Sequence, residues 1–146
     1  DLGAAHAAYS EMLGAIFTRG SPNAKNVISA HRWMELLDAQ FRLRRQWRAL
    51  FDRFDAVVTP AFGTVAYPHV ENPNEPGATL SIDGKRTPYF EQLAWPGVAT
   101  FPGLPATAVP VGATSERLPV GLQVIAGALH DRTAIAIGTW LSRREP

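Results

Sequence analysis

Any covalent chemistry in this chain would have to come from serine, lysine, histidine or carboxylate side chains, because it contains no cysteine. That absence removes disulfide scaffolds, thiolate metal sites and thiol nucleophiles together. Serines stand at positions 10, 21, 29, 81, 115 and 142, in stretches that read as caps, loops or helix faces. A serine hydroxyl attacks an acyl carbon only when a base lies within hydrogen-bond reach. The available bases are two lysines, Lys25 and Lys85, and four histidines. The Gly-x-Ser-x-Gly turn that would expose a nucleophilic serine is absent. The histidines are isolated: His6 and His31 on predicted helices, His69 after Pro68, and His130 before the last helix. None has the His-x-x-x-His spacing of a metal site. No catalytic residue, metal or cofactor is expected from these residues.

Binding is a different matter. Phe62 to His69 follows a predicted strand ending at Pro60, and ligands in open α/β sheets gather beyond the carboxyl ends of strands. Phe62 and His69 are therefore candidates to border a substrate pocket. The alternative for His69 is a backbone hydrogen bond that pins its loop. Trp95 and Phe101 flank a Pro/Gly-rich stretch, where aromatic side chains either wall an apolar ligand site or fill the core. Arg42, Arg44, Arg45, Arg48 and Arg53 crowd one predicted helix beside Glu35, Asp38 and Asp52. That mixture reads as a solvated face and not as a polyanion site.

These residues need a scaffold, and 146 residues with 46% hydrophobic and 18% charged composition suffice for one folded domain. A net charge of +1 gives no reason to expect nucleic acid or an anionic membrane as partner. No apolar run reaches the ~18 residues of a membrane span. Asp1 to His6 lacks the basic leader and apolar region of a secretory signal, and also an initiator Met, as in a processed fragment. Helical spacing of apolar residues covers residues 2 to 18, and again about Ser29 to Phe54, with Asn26 or Ser29 as cap. Asp55 to Pro60 switches to a short apolar run, a predicted strand. Residues 61 to 77 hold prolines at 68, 73 and 76 and read as a long loop. Thr79 to Thr87 predicts a hairpin turning on Asp83-Gly84. Tyr89 to Ala99 predicts a helix interrupted at Pro96-Gly97. Ala106 to Val111 and Val120 to Ile125 are apolar, β-branched runs bounded by Gly and Pro, as in buried strands. Asp131 to Arg143 predicts a closing amphipathic helix carrying Ile135, Ile137, Trp140 and Leu141, with Asp131 as N-cap or first-turn acid. The long Arg-bearing helix is expected to pack on a face of the sheet.

The late motifs form an ordered series. Asp55-Ala56-Val57-Val58-Thr59-Pro60 is followed by Ala66-Tyr67-Pro68-His69, then by Asp83-Gly84-Lys85 and Pro88-Tyr89 with Trp95. Gly103-Leu104-Pro105-Ala106-Thr107, Pro110-Val111-Gly112, Leu118-Pro119-Val120-Gly121-Leu122-Gln123 and Asp131-Arg132-Thr133 complete it. Over roughly residues 31 to 143 this order resembles the amidase signature family, in particular its bacterial and fatty-acid-amide-hydrolase-like branch. The resemblance implies an α/β fold: the C-terminal portion of the amidase signature fold, late strands of a large mixed sheet with covering helices. It also implies a carboxamide hydrolase working through a Ser–cis-Ser–Lys triad, without metal or cofactor. No Gly-Gly-Ser-Ser segment is present, so no position here can inherit a triad role.

On that resemblance residues 1 to 146 form the C-terminal segment of one amidase domain, inactive alone. In glutamine-using relatives an acidic group follows the strand that ends here near Ile125. The matching position is closest to His130, a further pocket candidate, and the departure argues against a glutamine amidotransferase role. The implied partner is a small amide substrate of the full enzyme, and the expected location is the cytoplasm. With so few strands, self-association through exposed sheet or helix surface is expected. The rival expectation is a non-enzymatic, amidase-derived oligomerisation or binding module.

Overall fold

The computed structural model describes residues 4, 7–9, 11–12, 28–71 and 77–143. The described residues near the N-terminus are helical; most of the helix expected over residues 2 to 18 lies outside the described residues. Helix α1 runs Ala30–Phe51, and the Ser29 side chain caps it by accepting a hydrogen bond from the Arg32 backbone N–H. A serine hydroxyl there satisfies one of the orphan donors of the first turn. The helix stops at Phe51, short of Phe54, as Arg53 and Phe54 both donate back to the Leu50 carbonyl.

The strands follow as β1 (Ala56–Pro60), β2 (Thr79–Ile82), β3 (Lys85–Pro88), β4 (Ala106–Ala113) and β5 (Pro119–Ala126). They form a three-stranded antiparallel sheet in the order β1-β5-β4 and a separate hairpin, β2-β3. Both Asp83 and Gly84 have positive φ, the geometry of a two-residue hairpin turn matched to strand twist. β5 lies in the middle because its run Gln123 to Ala126 is buried at every residue, not at alternate ones. β4 alternates, with Val109 buried and Ala108 and Pro110 exposed. Pro60 and Pro110 are tolerated because each sits on a strand paired on one side only.

Between hairpin and sheet runs a 3₁₀ turn, Phe90–Leu93, then helix α2, Ala94–Thr100. The expected interruption at Pro96 does not occur. Pro96 falls in the first turn of α2, where its missing N–H has no intrahelical partner to lose. The break comes earlier, where 3₁₀ gives way to α.

Helix α3, Asp131–Ser142, lies close against the sheet, above all along β4. Its contact face is made of small residues: Ala134 is buried, and so is Gly138. A Cβ on Gly138 would stand 2.9 Å from Val109 Cγ1 and 3.1 Å from Thr107 Cγ2. Ile135 and Trp140, expected on the apolar side, are 55% and 53% exposed. The expectation that the long helix covers the sheet is corrected in the same way. α1 is anchored at one end of the sheet, through Gln40 Nε2 donating to the Phe101 carbonyl and Arg44 Nε donating to the Pro102 carbonyl. Its Phe51 ring also rests against Gly127, just past β5. Among the described residues no helix is long and apolar enough to cross a membrane.

Candidate functional site

The candidate residues separate into two groups. The first gathers around the loop after β1. Phe62 stacks on Tyr67 with ring centroids 5.8 Å apart, and Tyr67 meets Tyr89 edge-on at 6.2 Å. Tyr67 donates a hydrogen bond from its hydroxyl to that of Tyr89 over 3.4 Å. That bond, with some desolvation, holds the Tyr67 pKa above the ordinary tyrosine value, so Tyr67 is a neutral phenol at physiological pH. Trp95 approaches the same loop: a Cβ on Gly63 would stand 3.6 Å from its Cδ1. His69 is exposed, and its side chain makes no hydrogen bond to a described residue that would pin the loop.

Under this loop sit two buried amides that sequence reasoning did not single out. Gln123 of β5 is 6% exposed, and its Nε2 donates to the Trp95 carbonyl at 2.6 Å and to the Pro60 carbonyl at 3.2 Å. One side chain thereby ties the end of β1 and the start of α2 to the central strand. Gln92, also buried, packs its Oε1 against Gly63 so closely that any side chain there would require the Gln92 amide to move. The legible signal for Gln123 was a lone polar residue inside an apolar strand run. A polar group at such a position is kept only when it is hydrogen-bonded.

The second group lies at the other end of β5. His130 is exposed at the N-terminus of α3 and makes no side-chain capping bond; Asp131 is the acid of the first turn. Phe101 is 3% exposed and sits 6.1 Å from the Tyr9 ring, so it packs in the core, and its edge lines a small cavity with Ala8, Ala39 and Leu43. Its neighbours, buried Pro102, exposed Gly103 and half-buried Leu104, line a cleft of about 610 Å³ together with α1 and the 127–130 turn. Arg44, Arg45, Arg48 and His130 line it, with Asp52 the one carboxylate among the lining residues. The structure thus brings Phe62 and Trp95 near one another and sets His130 apart with the arginines. Among the described residues no cluster of His, Asp and Glu could hold a metal ion.

An antiparallel sheet of this register, flanked by helices, defines the molecule as an α/β chain built on part of a known fold. The amidase family model matches residues 4–135. The chain belongs to the amidase family. It is 32% identical over 102 residues to a glutamyl-tRNA(Gln) amidotransferase component, the A subunit of the Zymomonas mobilis enzyme, covering 70% of this chain and 19% of that protein. Fatty-acid amide hydrolase 2-A of Danio rerio is 37% identical over 65 residues, 41% of this chain and 12% of the hydrolase. Among solved structures, the A subunit of the Thermotoga maritima glutamyl-tRNA(Gln) amidotransferase superposes with a TM-score of 0.69 at 20% identity. The match takes in 99% of this chain and 33% of the Thermotoga one. A bacterial aryl acylamidase of the amidase signature family gives 0.64 at 19% identity, over 98% and 34%. The fold is therefore part of the amidase signature fold. The chain spans about a fifth of the length of the first of these curated relatives and a third of the solved chains.

Proposed function

We propose that this chain is the C-terminal segment of an amidase that hydrolyses a carboxamide through a seryl acyl-enzyme. Its Ser–cis-Ser–Lys triad belongs to sequence outside these residues. The observation that carries this reading is the family match over residues 4–135 in a chain that spans so small a share of its relatives. In that enzyme the segment supplies late strands of the central sheet, and Phe62, His69 and Trp95 border the acyl-binding side. His130 stands where glutamine-using relatives carry an acid, which supports a plain amide over glutamine as substrate. The location consistent with this role is the cytoplasm, and neither nucleic acid nor metal takes part.

The chain alone is expected to leave short aliphatic and aryl amides unhydrolysed above buffer background. Turnover that survives repurification and disappears on mutating Ser81 or Ser115 would overturn the reading.

A second reading, a non-enzymatic oligomerisation or binding module, is favoured by one feature. Among the described residues β1 and β4 are each paired on one side only, and β4 presents exposed Ala106, Ala108 and Pro110. Unpaired strand edges template association with another chain. Under either reading the isolated chain self-associates, provided the joined surface exceeds the roughly 1,000 Å² of a specific interface. Light scattering at micromolar concentration is expected to give a mass above that of one chain. A sharp monomer peak without aggregation would show that the fragment closes its own core.

A further inference from the structure

The cleft between α1 and the turns at 102–104 and 127–130 carries a charge pattern that amide hydrolysis does not use. Arg44, Arg45 and Arg48 stand within about one helical turn of each other and all reach the same cavity. Like charges at such spacings disfavour a helix. Arg48, in the last turn, gains something from the helix dipole, but Arg44 and Arg45 lie too far back to share it. None of the three forms an ion pair with a described residue, although the Arg32 guanidinium bridges both Glu11 and Glu35.

Arg44 is moreover held in place. Its Nε donates to the Pro102 carbonyl at 2.7 Å and its guanidinium carbon lies 5.6 Å from the Phe41 ring centroid. Gly103, at φ +69°, leaves the space beside Arg44 Nη2 open, since a Cβ there would approach to 3.0 Å. The Nη donors accordingly remain available at the cleft. Phe41, Phe51 and Leu104 give the cleft an apolar surface, and of its polar lining the three arginines outnumber the single carboxylate, Asp52, with His130 beside them. A volume of about 610 Å³ suits a small organic ligand.

We propose that this cleft binds an organic carboxylate with an apolar body, the carboxylate against the arginines and the body on the Phe41, Phe51 and Leu104 surface. Guanidinium groups match a carboxylate in bidentate geometry, and the apolar lining disfavours a bare inorganic anion. This site rests on no amidase activity and is read by binding alone, so it stands or falls independently of the proposed function.

The test is a titration of the 146-residue chain with 4-phenylbutyrate, its neutral amide and inorganic phosphate, followed by ligand-observed NMR. The phenylbutyrate is expected to bind at least about tenfold more tightly than either comparison compound, the scale of losing a charge-assisted hydrogen bond. The double variant Arg45→Gln/Arg48→Gln changes two exposed side chains and should weaken it by about the same factor, with the circular dichroism spectrum unchanged. Ala128→Glu, at an exposed position on the rim, should weaken it further by repulsion. Equal binding of the amide, equal binding of phosphate, or an affinity untouched by both variants would each overturn the proposal.

Discussion

Replacing Gln123 by Glu is expected to destabilise the chain more at pH 8 than at pH 4. The wild-type amide donates twice, to the carbonyls of Trp95 and Pro60, from a position 6% exposed. A carboxylate has no proton to give, so it would face two acceptors in a poorly hydrated space. Leaving a buried acceptor unsatisfied costs about 1–3 kcal/mol, and more when a charge is involved. Burial and the facing carbonyls raise the pKa of the introduced acid in the folded state. The unfolded chain titrates near the ordinary glutamate value of about 4.3. Below that pH the acid is protonated in both states and only one of the two donations is lost. As pH rises above it, the unfolded state releases its proton first, and stability falls until the folded-state pKa is passed. Urea midpoints of wild type and variant at the two pH values measure this directly. A difference between the two proteins that is the same at both would show that Gln123 is not buried against those carbonyls.

Gly138→Leu should lose about 3 kcal/mol or more, at the upper end of the cost of overpacking a core. The helix would gain up to ~1 kcal/mol in intrinsic propensity from losing a glycine, so the sign depends on contact with the sheet. The first added carbon already stands 2.9 Å from Val109 Cγ1 and 3.1 Å from Thr107 Cγ2. Both neighbours are β-branched, with few rotamers to escape into. Either α3 lifts from β4 or the strand bends. Ile135→Ser on the outer side of α3, where the side chain is 55% exposed, is expected to stay within about 1 kcal/mol of wild type, because little apolar area is lost from the core. Thermal or urea unfolding of the two variants side by side decides the matter. A larger loss for Ile135→Ser than for Gly138→Leu would place the buried face of α3 where the hydropathy pattern puts it.

Those two positions also show where local pattern succeeds and where it stops. The strands were legible because β-branched apolar runs between Gly and Pro have few other solutions, and the hairpin because Asp83-Gly84 favours positive φ at both residues. The family order was legible because its motifs are local words. For α3 the apolar periodicity named Ile135, Ile137, Trp140 and Leu141; Ile137 and Leu141 are half-buried, but Ile135 and Trp140 are exposed and the residues the sheet buries are Ala134 and Gly138. Periodicity ranks residues by hydropathy, whereas close packing on a twisted strand selects by size.

The candidate site divides along the same line. Local sequence put Phe62 on the loop after β1, since that loop is adjacent in the chain to the strand that ends at Pro60. The expectation that no triad serine lies in these residues also rests on local sequence, because the required segment is a contiguous motif. Local sequence offered Phe101 as pocket wall or core filler without naming the packing partners, which are Tyr9 and, across 61 positions of chain, Gln40. It could not tell that Arg44, Arg45 and Arg48 line a cleft and do not merely face water. Counted along α1 they are a basic stripe diluted by acids. The cleft exists only because α1 crosses the Pro102–Leu104 turn and meets Gly127 and His130 from the other end of the chain. The sequence by itself determined the elements and the family, since both depend on residues close together in the chain. Which faces those elements bury, and which charges converge on one cavity, was decided by contacts between distant segments, whose energies no local pattern contains.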